Sequence, residues 1–324
     1  MYNSGNHIHK CLDSIIRQDI QPSEIIIVDD HSTDNSPQLI NQYRSDHSHI
    51  KVIRNKVNLG PGASRNKALK IARGEYIAFI DIDDWINDEY LIALYDSAKK
   101  ANADIVFSNM KFVGGGTESE YKAFYVTMAK FKNLELSITD LPNEWRSTAP
   151  WMKLFRKGFV LDNQLEFCSD TRLGEDILFT WIAYSKAKII TFCEAAYYFY
   201  NISSQSLDTD VNESIFDIFK SLKITKQKYY KIDPSHSRLS QINTLYVSHL
   251  CYQFSKICTI NHPQASHLAY EYWKKAHNEL INIKPRHVID NLYLSAKMKE
   301  YYFDTISHAE FDNEMREKYI LRTK

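Results

Sequence analysis

The 324-residue chain carries no excess of either charge: forty Lys and Arg stand against forty Asp and Glu. Without a basic surplus, the composition shows no electrostatic footprint for a nucleic-acid partner. It has no Cys-x-x-Cys pair, and its five cysteines, Cys11, Cys168, Cys193, Cys251 and Cys258, are odd in number. That usage fits a reducing compartment and argues against a disulfide scaffold. Cys251 and Cys258 can share a helix face, and they read as two buried thiols rather than a metal site. Long apolar runs are missing as well. The longest, residues 76–80 and 195–200, fall well short of the roughly 20 residues a membrane helix needs. No signal-peptide pattern opens the chain, and no internal repeat or low-complexity tract interrupts it. The expectation is a soluble, cytoplasmic protein, at most peripherally attached at the inner face of the membrane.

What is present is an ordinary globular balance, 44% hydrophobic and 25% charged, enough to bury a core. The length suggests about two domains. The first half alternates helices and strands. Ile8, Leu12, Ile15 and Ile16 give helical spacing over residues 7–16. Residues 24–28 read as a buried strand that ends in Asp29-Asp30. Ser36 and Pro37 read as an N-cap and a first-turn proline. A strand follows at 51–54, then a helix over 61–73 closed by Gly74. A strand at 76–80 runs straight into Asp81-Ile82-Asp83-Asp84. Asp88 can cap a helix that reaches Ala101, and another strand follows at 105–107. Such alternation predicts right-handed crossovers, an α/β class and a mainly parallel sheet. Ligands bind at the carboxyl ends of such strands, where both acidic clusters fall. Gly114-Gly115-Gly116 reads as a flexible loop. The stretch to about residue 207 is mixed and aromatic-rich. From Asn212 onward helical patterns dominate, for example 215–222, 239–257 and 268–281, punctuated by Pro234, Pro263 and Pro285.

Four constellations can carry chemistry. In Asp81-x-Asp83-Asp84, three crowded carboxylates raise one another's pKa unless a cation neutralises them. Hard oxygen donors suit Mn²⁺ or Mg²⁺, with phosphate and water completing the shell. The plain alternative is a helix cap with solvated acids. In Asp29-Asp30-His31-Ser32-Thr33-Asp34, a strand-end acid can accept from a ribose hydroxyl or a base; equally, the segment is a turn capping the next helix. In Asn58-Leu59-Gly60-Pro61-Gly62-Ala63-Ser64-Arg65-Asn66, glycines allow close approach, a helix start offers N–H groups to an anion, and Arg65 supplies a planar cation. An ordinary loop-to-helix junction reads the same way. Gly174-Glu175-Asp176 offers a carboxylate that can take a hydroxyl proton, or simply a helix start.

Taken in order, Tyr2-Asn3, Val28-Asp29-Asp30, Asn58-x-Gly60, Ala63-x-Arg65-Asn66, Gly74-Glu75-Tyr76-Ile77, Asp81-x-Asp83-Asp84 and Glu175-Asp176 resemble the family-2 glycosyltransferases of GT-A fold. Trp151-Met152-Lys153-Leu154-Phe155-Arg156 and the aromatic residues 197–200, with Ser203, Ser204 and Ser206, are similar to further segments of that family. The resemblance covers residues 1–208. It implies a nucleotide-binding half at 1–110 and an acceptor half at 111–208; the helical patterns beyond it read as an appended helical domain at 209–324. It implies an inverting hexosyl- or N-acetylhexosaminyltransferase of the bacterial polysaccharide type, taking sugar from a nucleotide-sugar donor, a UDP-sugar, to a glycan or lipid-linked acceptor. Tyr2 then lies by the base, Asp29 or Asp30 holds uracil or ribose, and Arg65 contacts the nucleotide. Asp81 approaches the ribose and, with Asp83, the metal. Asp176 is the general base with Glu175 beside it, and the Trp151 and Tyr197 segments lie near the acceptor or diphosphate. One base and one metal suffice for a single inverting displacement, unlike the paired carboxylates of most glycosidases.

The chain departs from that pattern at its start. Family members begin with a hydrophobic strand ending in Pro-x-Tyr-Asn, whereas Met1 here directly precedes Tyr2-Asn3. A missing inner strand leaves backbone groups of its neighbours unpaired, at about 1–3 kcal/mol each when buried. Either the real start lies upstream, or the chain is fragmentary, and the second reading is an N-terminally truncated, non-catalytic remnant that binds nucleotide sugars weakly or not at all. A third, a sugar-nucleotide pyrophosphorylase, lacks its early Gly-rich basic loop. His31 stands where glycine is common. Lys223, Lys226, Lys228 and Lys231, with Tyr229 and Tyr230, suggest a peripheral membrane contact; the plainer reading is a packed helix with a solvated basic face.

Overall fold

The computed structural model describes residues 1–114, 117–120, 147–202, 213–232, 239–259, 265–283, 285, 296–308 and 313–319. The chain divides into two compact units, Met1–Ser204 and Gln205–Lys324.

The first unit opens with α1 (Ile8–Ile16), which buries Ile8, Cys11, Leu12 and Ile15, the three-and-four spacing of one helix face. Then come β1 (Ile25–Asp29), α2 (Ser36–Asp46), β2 (Ile50–Arg54), α3 (Pro61–Ile71), β3 (Tyr76–Ala78), β4 (Trp85–Ile86) and α4 (Tyr90–Ala101). The unit continues with β5 (Ile105–Gly114), β6 (Thr117–Glu120), β7 (Lys153–Arg156), α5 (Lys157–Asp162), α6 (Glu175–Lys186) and β8 (Ile190–Asn201). The α/β class and helical tail agree with the sequence reading. The pairing is more mixed than strand–helix alternation implies. β1 and β2 run parallel, as do β5 and β8. The larger sheet has the order β3-β7-β5-β8-β4, and β7 lies antiparallel to both β3 and β5. Strand β7 is not the product of a strand–helix–strand crossover, so the parallel rule does not govern it.

The two sheets share no hydrogen-bonded strand among the described residues. On the edge of β1 that β2 does not use, Met1 donates its N–H to Val28 O at 2.8 Å and accepts from Asp30 N at 2.8 Å. These two bonds are one rung of a parallel ladder.

Several boundaries differ from the sequence reading. Helix α3 ends at Ile71 with Ala72 already extended, and Gly74 is not a left-handed cap. The Gly74 N–H and the Arg73 N–H both point at Glu24 Oε1 instead. Helix α4 is preceded by Glu89 with no side-chain cap bond; Asp88 faces Arg17 at 3.8 Å. Gly114 belongs to β5, while Gly115 and Gly116 lie outside the described residues, as do Ser203, Ser204 and Ser206. Along β5 and β8 the register jumps between Ser108 and Asn109, which face Cys193 and Tyr197. Asn109 Nδ2 fills that irregularity by donating to Glu194 O at 2.7 Å. Such a break re-aims the strand beyond it, here residues 197–201.

The second unit is helical in its described residues: a 3₁₀ turn at Glu213–Phe216, then α7 (Asp217–Ile232), α8 (Leu239–Thr259), α9 (Ala265–Leu280), α10 (Ala296–Ser307) and α11 (Asn313–Tyr319). Its core is aromatic, with Phe254 against Trp273 at 4.9 Å and Tyr301 against Tyr319 at 4.7 Å. On α7, Tyr229 is buried and Lys226 lies over the Tyr246 ring at 5.0 Å. Part of the basic-aromatic pattern is thus spent inside the unit, while Lys223 and Lys231 stay exposed. Among the described residues no helix is long and apolar enough to cross a membrane. All five cysteines are free and buried.

Candidate functional site

Two loops meet at the carboxyl end of β1. Asn3 N donates to Ser32 Oγ at 3.0 Å, and Thr33 N donates to Asn3 Oδ1 at 2.8 Å. Gly5 N donates to Asp34 Oδ2 at 3.0 Å. These bonds bring Tyr2-Asn3 and the 29–34 turn together, leaving Tyr2 exposed. His31 has φ +69°, a left-handed backbone, which is why glycine suits that place. Asp29 and Asp30 are both buried. Asp30 accepts from Asn55 Nδ2 at 2.6 Å, Leu59 N at 2.8 Å and Gly60 N at 2.7 Å. Its carboxylate is thereby occupied in shaping the 55–60 loop. Asp29 Oδ1 accepts from Ser32 N at 3.0 Å, and Oδ2 faces Arg54 Nε at 3.3 Å.

The acidic turn follows β3. Its three acids have different surroundings. Asp84 is buried and accepts from Tyr198 Oη at 2.6 Å and Asn201 N at 2.8 Å. Burial, then Asp81 and Asp83, pushes its carboxyl up to about 8. Asp81 gives one oxygen to Arg65 at 2.8 Å. Asp83 is half-buried. Burial and then Asp81 push it above the usual carboxylate range. Asp84 is the anchor of the turn, a role for which the sequence held no assignment.

Arg65 ties this turn to the Glu-Asp pair. Its NH2 nitrogen donates to Asp81 Oδ1 at 2.8 Å and its NH1 nitrogen to Glu175 Oε1 at 2.7 Å. Burial opposes the guanidinium charge, but Asp81 and then Glu175 outweigh it and raise its pKa. The helices that carry these groups approach closely because position 62 is glycine. A Cβ there would sit 2.2 Å from Cys168 O and 3.0 Å from Glu175 Cβ. Asn66 locks the same junction, donating to Phe167 O and accepting from Phe167 N, each at 2.9 Å. At the start of α6, burial and then Glu175 push Asp176 up to about 8. Arg65 opposes that shift at both acids, and its direct bond goes to Glu175.

Among the described residues no group of three or more His, Cys, Asp and Glu side chains is arranged to hold a metal by itself. The donor set still fits a hard divalent ion that draws its other ligands from phosphate and water: Asp83 lacks a side-chain partner among the described residues, and Asp81 keeps one oxygen unpaired by Arg65. Sequence reasoning missed Tyr198 as the clasp of the turn and the full burial of Lys153. Trp151 stacks on Tyr198 with centroids 5.1 Å apart, so the two aromatic segments are one cluster.

A split sheet with an acidic turn at a strand end, bridged by an arginine to a helix-start Glu-Asp pair, defines a GT-A domain. Residues 1–160 match the family model described as glycosyl transferase family 2. The chain is 37% identical over 203 residues to the poly(ribitol-phosphate) beta-glucosyltransferase of Bacillus spizizenii, covering 62% of this chain and 31% of that protein. It is 34% identical over 202 residues to the poly(ribitol-phosphate) beta-N-acetylglucosaminyltransferase TarS of Staphylococcus aureus, covering 61% and 34%. The chain therefore spans about a third of the length of these two relatives. The crystal structure of S. aureus TarS 1-349 in complex with UDP superposes with a TM-score of 0.69 at 25% identity, over 95% of this chain and 86% of that one.

Proposed function

We propose that the first unit is an inverting glycosyltransferase of cell-surface polysaccharide synthesis, working in the cytoplasm or at the inner face of the membrane. It moves a hexosyl or N-acetylhexosaminyl group from a UDP-sugar to a glycan or lipid-linked glycan. One observation carries this reading: Arg65 joins Asp81 to Glu175, so the acidic turn and the Glu-Asp pair, 94 positions apart in number (175 − 81), form one site. The bound UDP of the TarS structure supports a uridine nucleotide donor. The names of the two relatives support glucose or N-acetylglucosamine as the sugar, and a polyol-phosphate polymer as the acceptor to test first.

In this reading Tyr2 and Asp29 border the nucleoside, and Asp30 holds the 55–60 loop in shape for it. Asp83, with the second oxygen of Asp81, would hold Mn²⁺ or Mg²⁺. When bound, the ion supplies positive charge for the departing diphosphate. Arg65 keeps Asp81 oriented and prevents Glu175 from repelling it. Asp176, with its raised pKa, takes the acceptor's hydroxyl proton during attack at the anomeric carbon. The site's charge balance thus divides one ion-binding acid from one proton-accepting acid.

A donor screen measuring UDP release with Mn²⁺ tests the reading. Asp83→Asn is expected to lose metal-dependent UDP binding, and Asp176→Asn to keep binding and lose turnover. Full turnover in Asp176→Asn would remove the base assignment. No turnover or binding with any nucleotide sugar would favour the non-catalytic reading.

A further inference from the structure

Asn55 closes the end of the β1–β2 ladder. Its N–H donates to Asp29 O at 2.8 Å, and the residue is buried, 2% exposed. Both polar atoms of its side chain are engaged. Nδ2 donates to Asp30 Oδ1 at 2.6 Å and to Ser64 Oγ at 3.1 Å, while Oδ1 accepts from Lys67 Nζ at 2.6 Å. A carboxylate oxygen accepts and an ammonium only donates, so one orientation of the amide satisfies both neighbours. Asp30 comes from the turn after β1, whereas Ser64 and Lys67, three positions apart, come from one face of α3. Among the described residues Lys67 bonds to Asn55 alone.

The amide therefore stands between a cation and an acid. Asp30 is buried, and its side-chain donors, Asn55 Nδ2, Leu59 N and Gly60 N, are all uncharged. A buried carboxylate depends on keeping its hydrogen bonds. Bonds in series polarise one another, so the Lys67 ammonium on Oδ1 makes Nδ2 a stronger donor to Asp30. Asp30 in turn fixes the N–H groups of Leu59 and Gly60, at the point where Gly60, with φ +88°, turns the chain into α3. The 55–60 loop is thus held at both ends by one circuit of bonds. Arg65 shares none of these partners: its side chain is held by Asp81 and Glu175.

We propose that Asn55 and Lys67 are positioning residues for the nucleotide donor: the Lys67 ammonium, through the Asn55 amide, holds the Asp30 carboxylate on the Leu59 and Gly60 N–H groups and keeps the 55–60 loop in its donor-binding shape. This rests on the reading given above, in which that loop serves the nucleoside. Both residues act through the loop backbone. The Arg65 bridge is anchored independently of them, so losing the circuit weakens donor binding and spares the chemical step.

The test compares Lys67→Met and Lys67→Arg with wild type in the full chain. It measures UDP affinity by calorimetry with Mn²⁺ present, donor KM, kcat and Tm. Lys67→Met keeps the apolar stem and removes the charge. Its UDP affinity should fall about tenfold, the size of one lost bond to a charged group. Donor KM should rise by a similar factor, and kcat at saturating donor should hold. Lys67→Arg, which still donates to Asn55 Oδ1, should restore most of the affinity. Wild-type affinity in Lys67→Met, even with a lowered Tm, overturns the proposal, since the lysine would then only stabilise the fold. A fall in kcat matching the fall in affinity also overturns it, because the damage would reach beyond the loop. If Lys67→Met does not fold, Lys67→Gln, shorter and uncharged, should lose affinity in the same direction, and wild-type affinity there overturns the proposal. A wild type that binds no UDP overturns both the parent reading and this one. A wild type that binds UDP, beside a Lys67→Met that binds it equally well, overturns this one alone.

Discussion

Tyr198 clasps Asp84: its hydroxyl donates to Asp84 Oδ2 at 2.6 Å while accepting the Asp81 N–H at 3.1 Å. One phenol on β8 therefore holds two positions of the acidic turn. Replacing it by phenylalanine removes the donor and leaves a buried carboxyl and a backbone N–H short of a partner. Tyr198→Phe should lose about 1–3 kcal/mol of stability, read as a lower urea midpoint. Mn²⁺-dependent UDP affinity should fall with it. An unchanged midpoint would mean the clasp is not a stabilising contact.

Arg65 compensates two carboxylates at once, with side-chain exposures of 17% for the arginine and 12% for Glu175. Removing one partner of a buried pair leaves the others uncompensated. Arg65→Met should cost about 3–5 kcal/mol. Arg65→Lys should recover only part of that, because an ammonium lacks the planar fork that spans Asp81 and Glu175. Equal midpoints for the lysine variant and wild type would argue against the bridge.

At Gly62 the missing side chain is a packing requirement. A Cβ 2.2 Å from Cys168 O cannot be relieved by a rotamer change, since the obstacle is backbone. Gly62→Ala should separate α3 from the start of α6 and lower stability by about 1–3 kcal/mol. Loss of the Arg65–Glu175 geometry should then cut turnover more than the stability loss alone explains. A variant with wild-type Tm and rate would contradict the close approach.

Asp176 is raised to about 8 from an ordinary value of 3.8. In the window between these values the native state binds a proton that the unfolded state has released. Its contribution to stability is therefore present at low pH and lost as pH rises through about 8. Denaturation midpoints should fall from pH 5 to 8, with a shallower fall in Asp176→Asn. Turnover should move the opposite way, rising through the same range as the base ionises. Parallel slopes in the two proteins would remove Asp176 from the account.

His31 holds a left-handed backbone, φ +69°, while its side chain is exposed. Glycine adopts this conformation without the Cβ penalty, which is about 1–2 kcal/mol. Part of that gain is offset by glycine's freer unfolded chain. His31→Gly should raise stability by up to about 1 kcal/mol, seen as a small rise in Tm. A fall in Tm would show that the imidazole makes a contact that matters.

Local patterns were readable wherever local chemistry decides. Ile8, Leu12 and Ile15 mark a helix face because their spacing matches its turn, and Ile8 and Leu12 are indeed buried. The run before Asp29 is β-branched and apolar, and it forms β1. Boundaries were less readable. Gly74 looked like a cap, but Glu24, fifty positions earlier, binds its N–H, and the helix stops at Ile71. The mixed sheet was hidden because β7 is placed between β3 and β5 by pairing, not by its own sequence.

The sequence by itself determined where the acids stand: after β1, after β3 and at the start of α6. Strand ends and helix starts follow from local propensity and spacing. Which acid is tied up and which is available was decided only by tertiary structure. Asp30 is saturated by the 55–60 loop, Asp84 by Tyr198 and Asn201, and Asp81 and Glu175 share Arg65. Lys153 is fully buried beneath α6. A carboxylate's availability depends on which donors reach it, and those donors come from elements up to 117 positions away, brought close only when the sheets and helices pack.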